Sequence, residues 1–161
     1  MKTPRLLAAV AAAATLALTG CGRADTAAVV DGHVITESGL FAASEQVSQF
    51  ASQPMATGDL LNRLVVLPSV LDVLGERGVT ISDAAARSTL ATIDSPTPYL
   101  LDLARLDLAI GQLTADDQAE VVRRLGESDI EINPRFGSFN PEQAAIVATS
   151  PDWIVDPAGT R

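Results

Sequence analysis

The sequence predicts a mainly α fold: a bundle of about five helices, with a short N-terminal strand or hairpin and a strand that returns from the C-terminal side. Three observations carry this. Leu60, Leu64, Leu67, Leu71 and Leu74 recur at steps of three and four, the spacing that draws one apolar stripe along a helix. The same stepping appears in Leu40, Ala43, Val47, Phe50 and Ala51, and again in Tyr99, Leu103, Leu106, Ile110 and Leu113. Between the stripes stand residues that begin and end helices: Thr36, Ser82 and Thr114 before them, Gly78 and Gly126 after.

The first segment is not part of that fold. Lys2 and Arg5 precede an apolar run from Leu6 to Leu18, and small residues follow. A basic stretch, a short apolar stretch and a small-residue cut make a secretory signal peptide. The run is too short for the ~20 residues that cross a bilayer. Leu18-Thr19-Gly20-Cys21 ends it and holds the chain's single cysteine. This pattern resembles the bacterial lipobox, which implies a diacylglyceryl group on the Cys21 thiol and cleavage between Gly20 and Cys21. Residues 1–20 are then the signal peptide and 21–26 a lipidated tether. Two acyl chains supply the roughly two signals that stable anchoring takes. The expected location is the extracytoplasmic side of the cell membrane, facing periplasm or cell wall.

Residues 21–161 suit one domain. A chain of that size buries about 68–70% of its unfolded surface, enough for a core without metal or disulfide. Once Lys2 and Arg5 leave, 9 arginines face 20 acidic residues. That balance argues against nucleic acid, which needs a basic footprint, and against a polybasic lipid-binding patch. An acidic body is repelled from an anionic surface over a Debye length of about 8 Å, so lipid and not charge holds it there. The tether from Gly22 to Thr26 spans at most ~17 Å, at about 3.5 Å per residue.

Ala27 to Val30, Asp31-Gly32 and His33 to Ile35 read as a small hairpin, because Asp-Gly suits a type I′ turn between β-branched residues. Thr36 then caps a first helix, with Glu37 in its first turn and Gln53-Pro54 as its stop. The leucine stripe forms the second helix, where Pro68 predicts a kink or a break near Leu64 to Pro68. Gly78 is placed as its C-cap. Ser82 and Asp83 open a third helix that runs to about Ile93. Asp94-Ser95-Pro96-Thr97-Pro98 breaks the chain before the fourth. Thr114, with Asp116 and Asp117 in the first turn, opens a fifth helix through Leu125, closed by Gly126. Asp129 to Asn133 alternates as a strand does. Residues 138–161 are expected to be a partly ordered tail, with a helical turn or two over Pro141 to Thr149 and with Trp153 and Ile154 on the bundle surface.

Val29-Val30-Asp31-Gly32-His33-Val34-Ile35-Thr36, the leucine-rich helix, and Gly78-Val79-Thr80-Ile81-Ser82-Asp83-Ala84 together resemble the N-terminal domain of SurA-type periplasmic chaperones. The resemblance covers about Ala27 to Ile93 and extends the domain reading to residues 27–137. It implies a first strand paired with one returning from the far end, here Ile130 to Asn133, and helices that cradle unfolded polypeptide. Full-length relatives carry a parvulin-type prolyl isomerase domain with paired histidines. This chain holds only His33 and lacks the length for that domain, so isomerase activity is not expected.

No catalytic constellation stands out. His33 has no second histidine and reads as a surface residue at a strand end. Asp116-Asp117 lacks the spacing of a calcium loop and suits a helix start. Neither metal nor cofactor is expected, and no nucleophile elbow, phosphate loop or dinucleotide fingerprint is present. Phe50 and Tyr99 read as core, while Phe41 and Trp153 are open between core and a peptide groove. The expected function is a membrane-anchored domain that holds unfolded or extended polypeptide, its binding residues undetermined. The alternative is an interaction subunit for one envelope or secretion complex.

Overall fold

The computed structural model describes residues 24–50 and 55–149, with the Phe50 side chain excepted. The lipobox with Gly20 and Cys21, the stop at Gln53-Pro54, and Trp153 and Ile154 lie outside the described residues.

Strand β1 (Thr26–Val30) turns back into β2 (His33–Thr36), with Val29 opposite Val34 and Val30 opposite His33. Asp31 and Gly32 take φ of 48° and 82°, the positive pair that a type I′ turn requires. Strand β3 (Ile130–Ile132) returns antiparallel to the other side of β1, so the sheet order is β2-β1-β3. The turn also clamps this strand: Asp31 N–H donates to the Asp129 carbonyl at 2.9 Å, and Asp129 N–H to the Asp31 carboxylate at 2.8 Å.

Five helices cover the sheet and one another. Helix α1 (Glu37–Phe50) is capped by Thr36, whose hydroxyl accepts the Gly39 N–H at 3.2 Å. Helix α2 (Thr57–Glu76) is the central element, packing on β1, α1 and two later helices. It runs through Pro68 as one helix, so of the kink or break expected there the break does not form. Packing accounts for this: Leu60, Leu61, Leu64, Val65, Leu67, Val70, Val73 and Leu74 are all buried. At about 1.5–3 kcal/mol for each large apolar side chain removed from water, their burial outweighs the ~3 kcal/mol penalty of one proline. Gly78 at φ 75° ends the helix: Gly78 N–H donates to Gly75 and Val79 N–H to Leu74, both at 2.9 Å. These two bonds make a Schellman motif.

Helix α3 (Asp83–Thr89) starts at Ser82 as expected but stops short of Ile93. Near its end Ser88 and Thr89 turn their hydroxyls back onto the carbonyls of Ala85 and Ala86, at 2.6 and 2.7 Å, a competition that weakens a last turn. Helix α4 (Pro98–Ile110) begins at Thr97 with Pro98 in its first turn, and α5 (Ala115–Glu127) at Thr114 with a capping box to Asp117. Gly126 does not close α5. The helix passes through it to Glu127, and Ser128 caps the end through the Arg124 carbonyl.

The chain after β3 departs most from expectation. Instead of helical turns over residues 141–149, β4 (Ser138–Asn140) and β5 (Ala145–Val147) form a second hairpin. Phe139 and Ile146 face each other across it and pack onto the core. Ile146 N–H donates to the Asn62 side chain on α2 at 3.0 Å. Long-range contacts thus decide a segment whose local pattern is ambiguous.

The core has two lobes. One gathers Val30, Ile35, Leu40, Leu60, Leu61 and Leu103 under the sheet. The other gathers Leu67, Leu74, Leu106, Val121 and Leu125 between α2, α4 and α5. No helix among the described residues is long and apolar enough to cross a membrane.

Candidate functional site

Helices α2, α4 and α5 converge without closing. Between them lies an apolar groove of about 310 Å³, floored by Val66, Val70 and Leu106 and walled by Ile110, Val121 and Val122. Asn62, Arg63 and Gln118 form its polar rim, and Ala144 at the tip of the second hairpin closes one end. Ile110 is 46% and Val122 41% exposed, which is unusual for large apolar residues beside a core.

Local sequence explains the opening. Val121 and Val122 are neighbours on a helix, about 100° apart at 3.6 residues per turn, so one helix face cannot bury both. Val121 enters the core and Val122 stays at the mouth. Helix α4 ends at Ile110, and Leu113 follows in the loop. The apolar stripe read as one buried face therefore outruns the core and spills into the groove.

A second recess of about 420 Å³ lies on the other side of α4, among Val47, Met55, Leu90, Leu103 and Leu108. Arg63 borders both spaces and pairs with Asp107 at 3.0 Å. A third, shallow recess of about 750 Å³ covers the outer face of the sheet around Val29, Val34 and Ile132.

Charge fixes the frame and leaves the groove apolar. Arg77 at the end of α2 pairs with Asp117, and Glu76 with Arg124 at 2.6 Å, locking α2 to α5. The Thr114 N–H and hydroxyl, with Arg77 beside them, hold the Asp117 carboxyl below its usual range. Arg123 and then Arg124 lower Glu120 to about 2. Burial pushes Asp102 up, against the pull of Arg105. Each of these groups has a structural partner among the described residues.

The residues singled out in sequence are scattered. His33 is exposed at the start of β2. Asp117 is occupied by its cap and by Arg77, and among the described residues no three His, Cys, Asp or Glu side chains gather as a metal site. Tyr99 packs against the first lobe, and its hydroxyl accepts the Thr36 N–H at 2.9 Å. Phe41 is 54% exposed on α1, away from the groove. In sequence Leu106, Ile110 and Leu113 read as a buried stripe and not as a groove, although the Val121-Val122 pair and the overlong stripe ending in Leu113 were signals for one.

Comparison with family models, curated proteins and solved structures returns no match. The groove therefore rests on its own geometry. An apolar hollow with a few fixed polar groups at its edge is the common form of a binding site.

Proposed function

We propose that this chain is a lipoprotein held by a diacylglyceryl group on Cys21, on the extracytoplasmic side of the cell membrane, and that it binds unfolded or extended polypeptide in the groove between α2, α4 and α5. The observation that carries the binding half is the exposure of Ile110 and Val122 beside a hollow the protein's own described residues leave open. Apolar side chains of an extended client gain by leaving water there, at roughly 25 cal/mol per Å² buried. The similarity to SurA-type N-terminal domains supports the same reading, and the lipobox supports the anchor. The role is holding, with no catalytic step, no cofactor and no metal.

Two experiments test the halves separately. Purified residues 22–161 slow the aggregation of unfolded clients at near-equal ratios, and Ile110→Asp with Val122→Asp abolishes this while the melting temperature barely moves. Full holding by the double variant rejects the groove. For the anchor, Cys21→Ser loses palmitate labelling in cells; undiminished labelling rejects lipidation.

A second reading is a dedicated subunit of one envelope or secretion complex. Its support is the groove's size: about 310 Å³ is at the small end of ligand pockets, which run ~300–1,000 Å³, and suits one or two anchor side chains. In-cell crosslinking from Val122 separates the readings, since one dominant adduct means a fixed partner and a broad smear means many clients.

A further inference from the structure

The exposed large apolar residues of the described chain fall into two pairs. Ile110 and Val122 belong to the groove, while Val34 and Phe41 do not. Val34 is 55% and Phe41 54% exposed, and Phe41 stands near the point where the tether enters the fold. Asp25 is fixed there. Its carboxylate accepts the Ser38 N–H at 2.8 Å and the Ser38 hydroxyl at 2.6 Å, and its carbonyl accepts the Glu37 N–H at 2.9 Å. Phe41 is three residues beyond Ser38 on α1, hence on the same side of that helix. Val34 is at the other end of the hairpin, opposite Val29 and beside the Asp31-Gly32 turn.

We infer that this end of the molecule is a lipid-contact surface, with Phe41 seated at the boundary of headgroups and acyl chains; the inference rests on acylation of Cys21. The argument is one of reach. With Asp25 pinned to α1, only Gly22, Arg23 and Ala24 separate the fixed body from the acylated residue. Four Cα steps at about 3.5 Å each allow at most ~14 Å, so this end cannot leave the bilayer surface. An exposed aromatic ring held at that distance lowers its free energy by entering the interface, as apolar residues of surface-bound segments do. Two carboxylates at this end are both tied down: Glu37 is buried and paired with Arg135 at 2.7 Å, and the exposed Asp25 carboxylate is bonded to Ser38, which keeps it at headgroup level.

The same geometry aims the groove outward. Tyr99, at the start of α4, bonds to Thr36 beside the tether, and Ile110 ends that helix. Eleven residues at 1.5 Å each carry Ile110 about 16 Å along the axis from Tyr99. One end of the bundle meets lipid and the other presents the groove to the space beyond.

The test uses full-length acylated protein in vesicles of phosphatidylcholine and phosphatidylglycerol containing lipid brominated on the acyl chains. Trp153→Phe removes the native tryptophan fluorescence, and Phe41→Trp and Ile110→Trp are each added to that background. The expected result is a blue-shifted emission that loses intensity to bromine in the Phe41→Trp protein, and no loss in the Ile110→Trp protein. Unquenched emission from the Phe41→Trp protein, or equal quenching of both, overturns the lipid-contact surface. The mass of Cys21 in the same preparation separates the two failures: acylated but unquenched protein rejects this surface alone, and unacylated protein rejects the anchor and the surface together.

Discussion

Arg63 on α2 and Asp107 on α4 form an ion pair at 3.0 Å that stands between the apolar groove and the neighbouring recess. Their side chains are 35% and 59% exposed, so water and salt screen the pair and it adds only about 0–1 kcal/mol to stability. Its effect is on shape. The pair bridges two helices and keeps the two apolar spaces apart.

Removing the bridge therefore enlarges the site without unfolding the protein. Arg63→Ala leaves the unfolding free energy within about 1 kcal/mol of the parent and increases binding of an apolar fluorescent dye, because groove and recess join. Dye titration beside a denaturation curve checks both parts. Unchanged dye binding in a folded variant means the pair does not gate the space.

Pro68 gives a prediction of opposite sign. It lies inside α2, where it removes one backbone bond and crowds the Leu64 carbonyl. Pro68→Ala restores that bond in a helix already held by its neighbours. Stability rises by about 1–3 kcal/mol, read as a higher urea midpoint with an unchanged slope. A fall in stability instead means that α2 needs the proline's shape where it is half-buried.

Acid weakens α5 through Glu120. Its carboxyl is lowered from 4.5 to about 2, chiefly by hydrogen bonds from Arg123 and Arg124. A group with a depressed folded pKa contributes stability that is present above its unfolded value and lost as pH falls through the folded one. The window is thus pH 4.5 down to about 2. Asp117, lowered by Thr114 and Arg77, acts with the same sign. Urea midpoints fall across that window, and Glu120→Gln flattens the fall. An equal slope in the variant assigns the acid sensitivity elsewhere.

Much of the fold was legible because its signals are local. The leucine stripe of α2, the Gly78 terminus, the Thr114 cap and the Asp31-Gly32 turn each depend on residues a few positions apart. Other features were not local. Helix α2 survives Pro68 through contacts with other elements. The second hairpin depends on Phe139 facing Ile146 and on Asn62, which lies 84 residues from Ile146 in sequence. The groove was the least legible part. An apolar stripe shows which residues share a helix face, but whether a neighbour covers Ile110 depends on where α4 ends and α5 begins.

Gly137 ties the second hairpin to the groove. It adopts φ 117°, and a Cβ there would collide with the Val147 carbonyl oxygen, a contact that backbone cannot relieve without parting β4 from β5. Gly137→Ala thus costs more than ~1 kcal/mol through the positive φ alone, with the clash in addition. Because Asn62 holds β5 and Ala144 at the hairpin tip closes the groove, the damage reaches the binding site. Hydrogen exchange in Gly137→Ala speeds up at Phe139 and Ile146 before it does in α2, and dye binding at the groove changes with it. Uniform acceleration across all helices would mean that the hairpin is a support of the whole bundle; protection lost only in the hairpin, with altered dye binding, identifies it as a wall of the groove whose position sets how much apolar surface the site offers.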